Sequence, residues 1–75
     1  AFRGRVASVR ETRFSASWYV CSRKCVNVFI PNEVYASFQT RFDVNAVKGK
    51  RVLVQGIYGE NGLSVFDANG VDVTG

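Results

Sequence analysis

The chain predicts an all-β domain: a five-stranded barrel with one short helix between strands three and four. Three observations lead there. Thirteen valines and two isoleucines outnumber two leucines, methionine is absent, and ten residues are aromatic. Branched and aromatic side chains fit a pleated, half-buried surface. Apolar and polar residues alternate along short runs separated by Gly, Asn and Pro, which is strand periodicity punctuated by turns. Finally, 75 residues and 8.3 kDa allow one domain. A chain of this mass buries only about 60 % of its unfolded surface, so it holds one small core. A β-sandwich normally needs about seven strands and ~100 residues, whereas a barrel solves the edge problem for a short chain.

Residues 2–12 (FRGRVASVRET) read as the first strand. Its apolar phase changes between Val6 and Val9, as a bulge or bend produces, and Gly4 fits the same irregularity. Residues 14–21 (FSASWYVC) alternate, with Phe14, Ala16, Trp18 and Val20 on one face and Ser15, Ser17, Tyr19 and Cys21 on the other. Ser22, Arg23 and Lys24 turn the chain. Residues 25–30 (CVNVFI) alternate again, with Val26, Val28 and Ile30 inward and Cys25, Asn27 and Phe29 outward, so the two runs form a hairpin. Pro31 ends that strand. Asn32 caps a helix over 32–38 (NEVYASF), Glu33 is favourable in its first turn, and Val34 and Phe38 share a face. Residues 39–47 are irregular, anchored by Phe42, Val44 and Val47. After a turn at Lys48, Gly49 and Lys50, residues 51–58 (RVLVQGIY) form the fourth strand. Gly59 to Gly62 make a hairpin turn, and 63–67 (LSVFD) form the fifth strand. Ala68, Asn69 and Gly70 turn once more before Val71 to Val73. The core expected from these phases is Phe14, Trp18, Val20, Val26, Val28, Ile30, Val52, Val54, Val65 and Val73, with Trp18 its largest contributor.

Five strands with a helix between the third and fourth is the element order of the OB-fold barrel. An SH3-like barrel does not place a helix before its penultimate strand. Residues 49–73 (GKRVLVQGIYGENGLSVFDANGVDV) open with the pattern Gly-Lys-x-Val-x-Val-x-Gly. This resembles the closing strands of OB-fold nucleic-acid-binding domains. Residues 29–38 (FIPNEVYASF) are similar to the strand plus helix of small bacterial OB modules of the thermonuclease-associated and tRNA-anticodon type. As an order of elements the resemblance covers nearly the whole chain; at residue level it is specific over residues 49–56. There Val52 and Val54 point inward and Gly56 permits a tight bend. The resemblance implies an OB fold and a binding function. No catalysis is carried over, because the paired acids and arginines of a nuclease are not found.

Composition excludes much else. Without histidine, the usual general base and the commonest metal ligand are missing. Asp43, Glu60, Asp67 and Asp72 are scattered among turns, and nothing fixes the separation that acid–base work requires; Asp67 is a natural turn former. The expectation is a binding module rather than an enzyme, with no cofactor and no metal. The longest apolar runs, of about four or five residues, fall far short of the ~20 of a membrane helix, so no membrane span is expected. The first residues do not read as a secretory leader, and the compartment stays open.

The net charge of +4 is unevenly placed. Residues 1–25 hold Arg3, Arg5, Arg10, Arg13, Arg23 and Lys24 against Glu11 alone; the remainder holds four basic residues against five acids. A basic half on a small β domain points to an anionic partner, nucleic acid first. OB domains bind single strands across strands two and three and the flanking loops. The matching face here carries Tyr19, Asn27 and Phe29, with Arg23 and Lys24 at the hairpin tip, Arg10 and Arg13 beside the first loop, and Tyr58 as a further aromatic. Aromatic rings stack on any base, and basic groups neutralise phosphates. The expected function is weak, sequence-tolerant binding of single-stranded nucleic acid, as one module of a larger protein or assembly. The bland readings stand beside it. Phe29 is then covered by a loop or by the Arg3 and Arg5 end of the first strand, Arg10 and Arg13 are merely solvated, and the domain is a protein-interaction or structural OB module. Cys21 and Cys25, facing each other at the hairpin tip, are either a disulfide or free thiols; two ligands are too few for a metal. A bridge would favour an oxidising compartment.

Overall fold

Alternation along three consecutive runs sets up a meander. In the computed structural model, which describes residues 1–13, 15–38, 40–41 and 43–74, strands β1 (Phe2–Glu11), β2 (Ser15–Cys21) and β3 (Cys25–Pro31) pair antiparallel in chain order. Phe14 and Phe42, expected in the core, lie outside the described residues. On β2 the register of β1 runs Arg5 opposite Cys21 and Val6 opposite Val20, then shifts so that Ser8 faces Tyr19 and Val9 faces Trp18. The extra residue, Ala7, is the expected bulge.

Helix α1 (Asn32–Phe38) follows Pro31 directly. Its inner face is Tyr35 and Phe38, with Val34 half-buried at the margin. Sequence spacing had pointed to Val34 and Phe38 and passed over Tyr35. Tyr35 goes inside because Trp18 of β2 offers it a ring edge, the centroids 6.4 Å apart, and because its hydroxyl donates to Glu11 Oε1 of β1 at 3.0 Å. Phe38 lies 6.0 Å from Trp18 on the same side. A single 3₁₀ turn, Val44–Ala46, crosses the irregular stretch, with Val44 and Val47 buried as anchors.

Strand β4 (Arg51–Val54) lies antiparallel to the N-terminal half of β1. The expected fourth strand over 51–58 breaks at Gln55 and Gly56, and its second part is a separate strand, β5 (Ile57–Gly59). A Cβ on Gly56 would sit 2.0 Å from the Ser64 carbonyl oxygen, so the chain crosses there only without a side chain. Strand β6 (Gly62–Ser64) pairs antiparallel with β5 and parallel with β3. The expected fifth strand therefore stops at Ser64, and Phe66 is left exposed. The Asp67 carboxylate accepts from the Asn69 backbone N–H at 2.9 Å and opens a 3₁₀ turn, Ala68–Gly70. Strand β7 (Val71–Val73) then closes on β4.

The result is one curled sheet, a half-barrel in the order β5-β6-β3-β2-β1-β4-β7. The sheet has seven segments where five strands were expected. Its two edges are β5 and β7. The concave side holds the core, in which Trp18, Val20, Val28, Ile30, Val52, Val54 and Val65 are fully buried, while Val26 and Val73 are half-buried at the rim. Among the described residues no helix is long and apolar enough to cross a membrane.

Two outcomes follow from this packing. Trp18→Ala removes the largest fully buried side chain and costs about 3–5 kcal/mol, much of a small domain's margin, as read from a urea unfolding midpoint; an unchanged midpoint contradicts the placement. Burial, then the hydrogen bond and charge of Glu11, push the Tyr35 hydroxyl up from 10.0 to about 12. The unfolded chain releases this proton near pH 10, while the folded chain holds it to about pH 12. The Tyr35 contribution is thus intact below pH 10 and lost as pH rises toward 12. Tyr35→Phe removes that part of the alkaline decline in melting temperature, and an unaltered decline would refute the assignment.

Candidate functional site

Cross-strand register sorts the outward side chains into rows, because directly opposed residues share a face. One row runs Arg10, Ser17, Phe29, Ser64 and Ile57 across β1, β2, β3, β6 and β5. The next holds Ser8, Tyr19 and Asn27. A third holds Arg51, Arg5, Cys21 and Cys25. Tyr19 and Phe29, 47 % and 45 % exposed, are therefore neighbours on one surface, diagonally across the Ser17–Asn27 pair.

Local hydrogen bonds shape that surface. Ser17 Oγ donates to Asn27 Oδ1 at 2.6 Å, and Asn27 Nδ2 donates to the Asn61 carbonyl at 3.4 Å. The β5–β6 turn is thereby held against β3. It lies close because Gly62 has φ +124° and a Cβ there would come within 2.1 Å of the Asn27 carbonyl oxygen. Between the turn and the Phe29 ring is a shallow depression of about 310 Å³, walled by Asn27, Phe29 and Ser64, with Glu60 as its one acid.

The expected site residues separate into groups. Tyr19, Asn27 and Phe29 are brought together, and Arg10 joins their face through Ser17. Arg13 is exposed in the β1–β2 loop. That loop is pinned by Thr12 N–H donating to the Ser15 carbonyl at 2.8 Å and Ser15 N–H donating to Thr12 Oγ1 at 3.0 Å. Arg23 and Lys24 are exposed at the β2–β3 tip, which is closed by Ser22 N–H donating to the Lys24 carbonyl at 2.9 Å. Arg3 and Arg5 line up with the tip, so they do not cover Phe29.

Tyr58 does not join the aromatic group. It stands opposite Leu63, which is fully buried, and so belongs to the concave side, its hydroxyl donating to the Ala1 carbonyl at 3.5 Å. Continuing the alternation of Val52 and Val54 already puts residue 58 on that side. Ile57 takes the outward position instead and is 65 % exposed. Sequence reasoning also passed over Arg3, Arg5 and Arg51 as a group. With Arg23 they surround a depression of about 570 Å³ beside Cys21. No local signal marks it, because Arg51 meets Arg5 only through the β1–β4 register.

Cys21 and Cys25 are joined by a disulfide, their Cα atoms 4.0 Å apart. Among the described residues no three His, Cys, Asp or Glu side chains gather as metal ligands. The bridge spans a separation of four residues, and closing so short a loop contributes about 2 kcal/mol on the chain-entropy relation. Native protein should show no titrating thiol, and reduction should lower the unfolding free energy from a denaturant titration by that amount. Two thiols titrating before reduction would exclude the bridge. Compared with protein-family models, curated proteins and solved structures, the chain matches none.

Proposed function

We propose that the domain is an OB-fold module that binds single-stranded nucleic acid weakly and with little sequence preference. One observation carries the reading: Phe29 and Tyr19 lie half-exposed on one sheet face, with the Arg10 guanidinium in the Phe29 row. The OB assignment is supported by topology. A three-stranded meander, β1 shared between β2 and β4, a helix after β3, and β3 parallel to β6 form the path of such a barrel. In this reading β4 and β5 are one interrupted strand, and β6 is the fifth.

Binding then proceeds without any covalent step. Bases stack on Phe29 and Tyr19 at about 1–3 kcal/mol each. Arg10 and Arg13 meet phosphates on one side of the rings, and Arg23 and Lys24 meet them on the other. Little base discrimination follows, because stacking accepts any base and Asn27 has few hydrogen-bonding positions left. Its carbonyl oxygen already accepts from Ser17 and its amide already donates to Asn61.

A labelled oligonucleotide titrated against salt tests this. Three or four phosphate contacts give a slope of roughly −2 to −3 in log affinity against log salt. Arg10→Ala weakens binding and flattens the slope by up to about 0.7. Phe29→Ala weakens binding and leaves the slope alone, because stacking releases no counterions. Absence of binding at low salt ends this reading. It favours a protein-interaction module instead, for which Ile57, Phe66 and Tyr58, 65 %, 64 % and 55 % exposed, offer apolar surface.

A further inference from the structure

The depression at the disulfide end of the sheet has a charge pattern that folding alone does not explain. Arg3 and Arg5 of β1, Arg51 of β4 and Arg23 of the hairpin tip line it around Gly4 and Cys21, and among the described residues no carboxylate does. In the β1–β4 ladder Arg5 stands directly opposite Arg51, a position where like charges destabilise the pair. Arg3 lies two residues along the same face, about 7 Å from Arg5. Arg5 is held in place by donating Nη1 to the Gly49 carbonyl at 3.2 Å, and the rest of its five-donor fork remains available. A Cβ on Gly4 would come within 2.6 Å of the Cys21 carbonyl oxygen, so β1 and the disulfide end of β2 approach closely there. The disulfide ties the hairpin that carries Arg23.

We propose that this depression binds a linear polyphosphate, two or three linked phosphoryl groups, through the four guanidinium groups. Guanidinium forks match phosphate oxygens two at a time. Several positive charges gathered in one depression are compensated by an anion that holds several negative charges on a short chain. A single phosphodiester carries one charge and leaves most of the repulsion in place. The site shares Arg23 with the phosphate contacts proposed above but is separate from the stacking rings, since Arg10, Arg13, Tyr19 and Phe29 are not among the lining residues. The same chemistry is offered by free polyphosphate and by the triphosphate of a nucleotide.

Calorimetric titration of the intact protein at low salt tests it with four probes: inorganic tripolyphosphate, inorganic monophosphate, adenosine triphosphate and an oligothymidylate without terminal phosphate. Tripolyphosphate should bind at least about tenfold more tightly than monophosphate, as one further charge-assisted contact implies. Arg3→Gln and Arg51→Gln should each weaken tripolyphosphate by about tenfold or more, while Arg10→Gln and Phe29→Ala change it by less than about twofold. Without anion, Arg51→Gln should not lower the melting temperature, because it relieves the Arg5 repulsion. Adenosine triphosphate binding as tightly as tripolyphosphate supports a nucleotide source, and binding about tenfold more weakly supports free polyphosphate. Equal affinity for mono- and tripolyphosphate, no binding of tripolyphosphate, or equal loss in Arg10→Gln and Arg51→Gln would overturn the proposal. Oligothymidylate binding that depends on Phe29 while tripolyphosphate fails would overturn this site and leave the stacking surface standing.

Discussion

Val6 and Val9 both face the core although they lie three positions apart, and a regular strand of period two cannot achieve that. The bulge at Ala7 supplies the missing half-step. It also lets one strand serve two partners, β4 along its first half and β2 along its second. By the same shift Arg5 and Arg10, an odd number of residues apart, both point to water. Without the bulge, one half of β1 would turn its valine out and its arginine in, and a guanidinium buried without partners is a heavy cost. The apolar interior and the charged exterior rest on the same irregularity.

Much of the fold was legible because local and long-range demands agree. Residues 15–21 and 25–31 alternate cleanly and pair through a short turn, so their faces follow from sequence alone. Asn32 after Pro31 starts the helix where expected. The break at Gln55 and Gly56 was not legible, because residues 51–58 read as one strand; what divides them is the close approach of Ser64 at the far end of the β5–β6 hairpin. Tyr35 was missed for a similar reason, since its partners Trp18 and Glu11 lie on other strands. In the candidate site, the Tyr19, Asn27 and Phe29 face was legible from alternation within one hairpin. The arginine cluster was not, because it depends on which residue of β4 lies against Arg5.

The outer surface divides into two basic ends with a neutral aromatic stretch between them. Arg10 and Arg13 mark one end of β2, and the arginines around Cys21 mark the other. Arg10 stands opposite Ser17 and Arg5 opposite Cys21, four residues apart on β2, about 13 Å at the usual rise. That exceeds the ~10 Å over which exposed charges feel each other at 0.1 M salt. The two ends are therefore largely screened from each other, with Tyr19 between them and Phe29 in the row of Arg10.

Among the described residues the strand order of the half-barrel ends in β5 and β7, each three residues long. A border strand exposes unpaired backbone groups that a neighbouring chain can use to extend the sheet. Three residues offer too few of them to hold a second molecule in register. The protein can thus keep its valine-rich strands in the interior and still resist ribbon-like growth when concentrated.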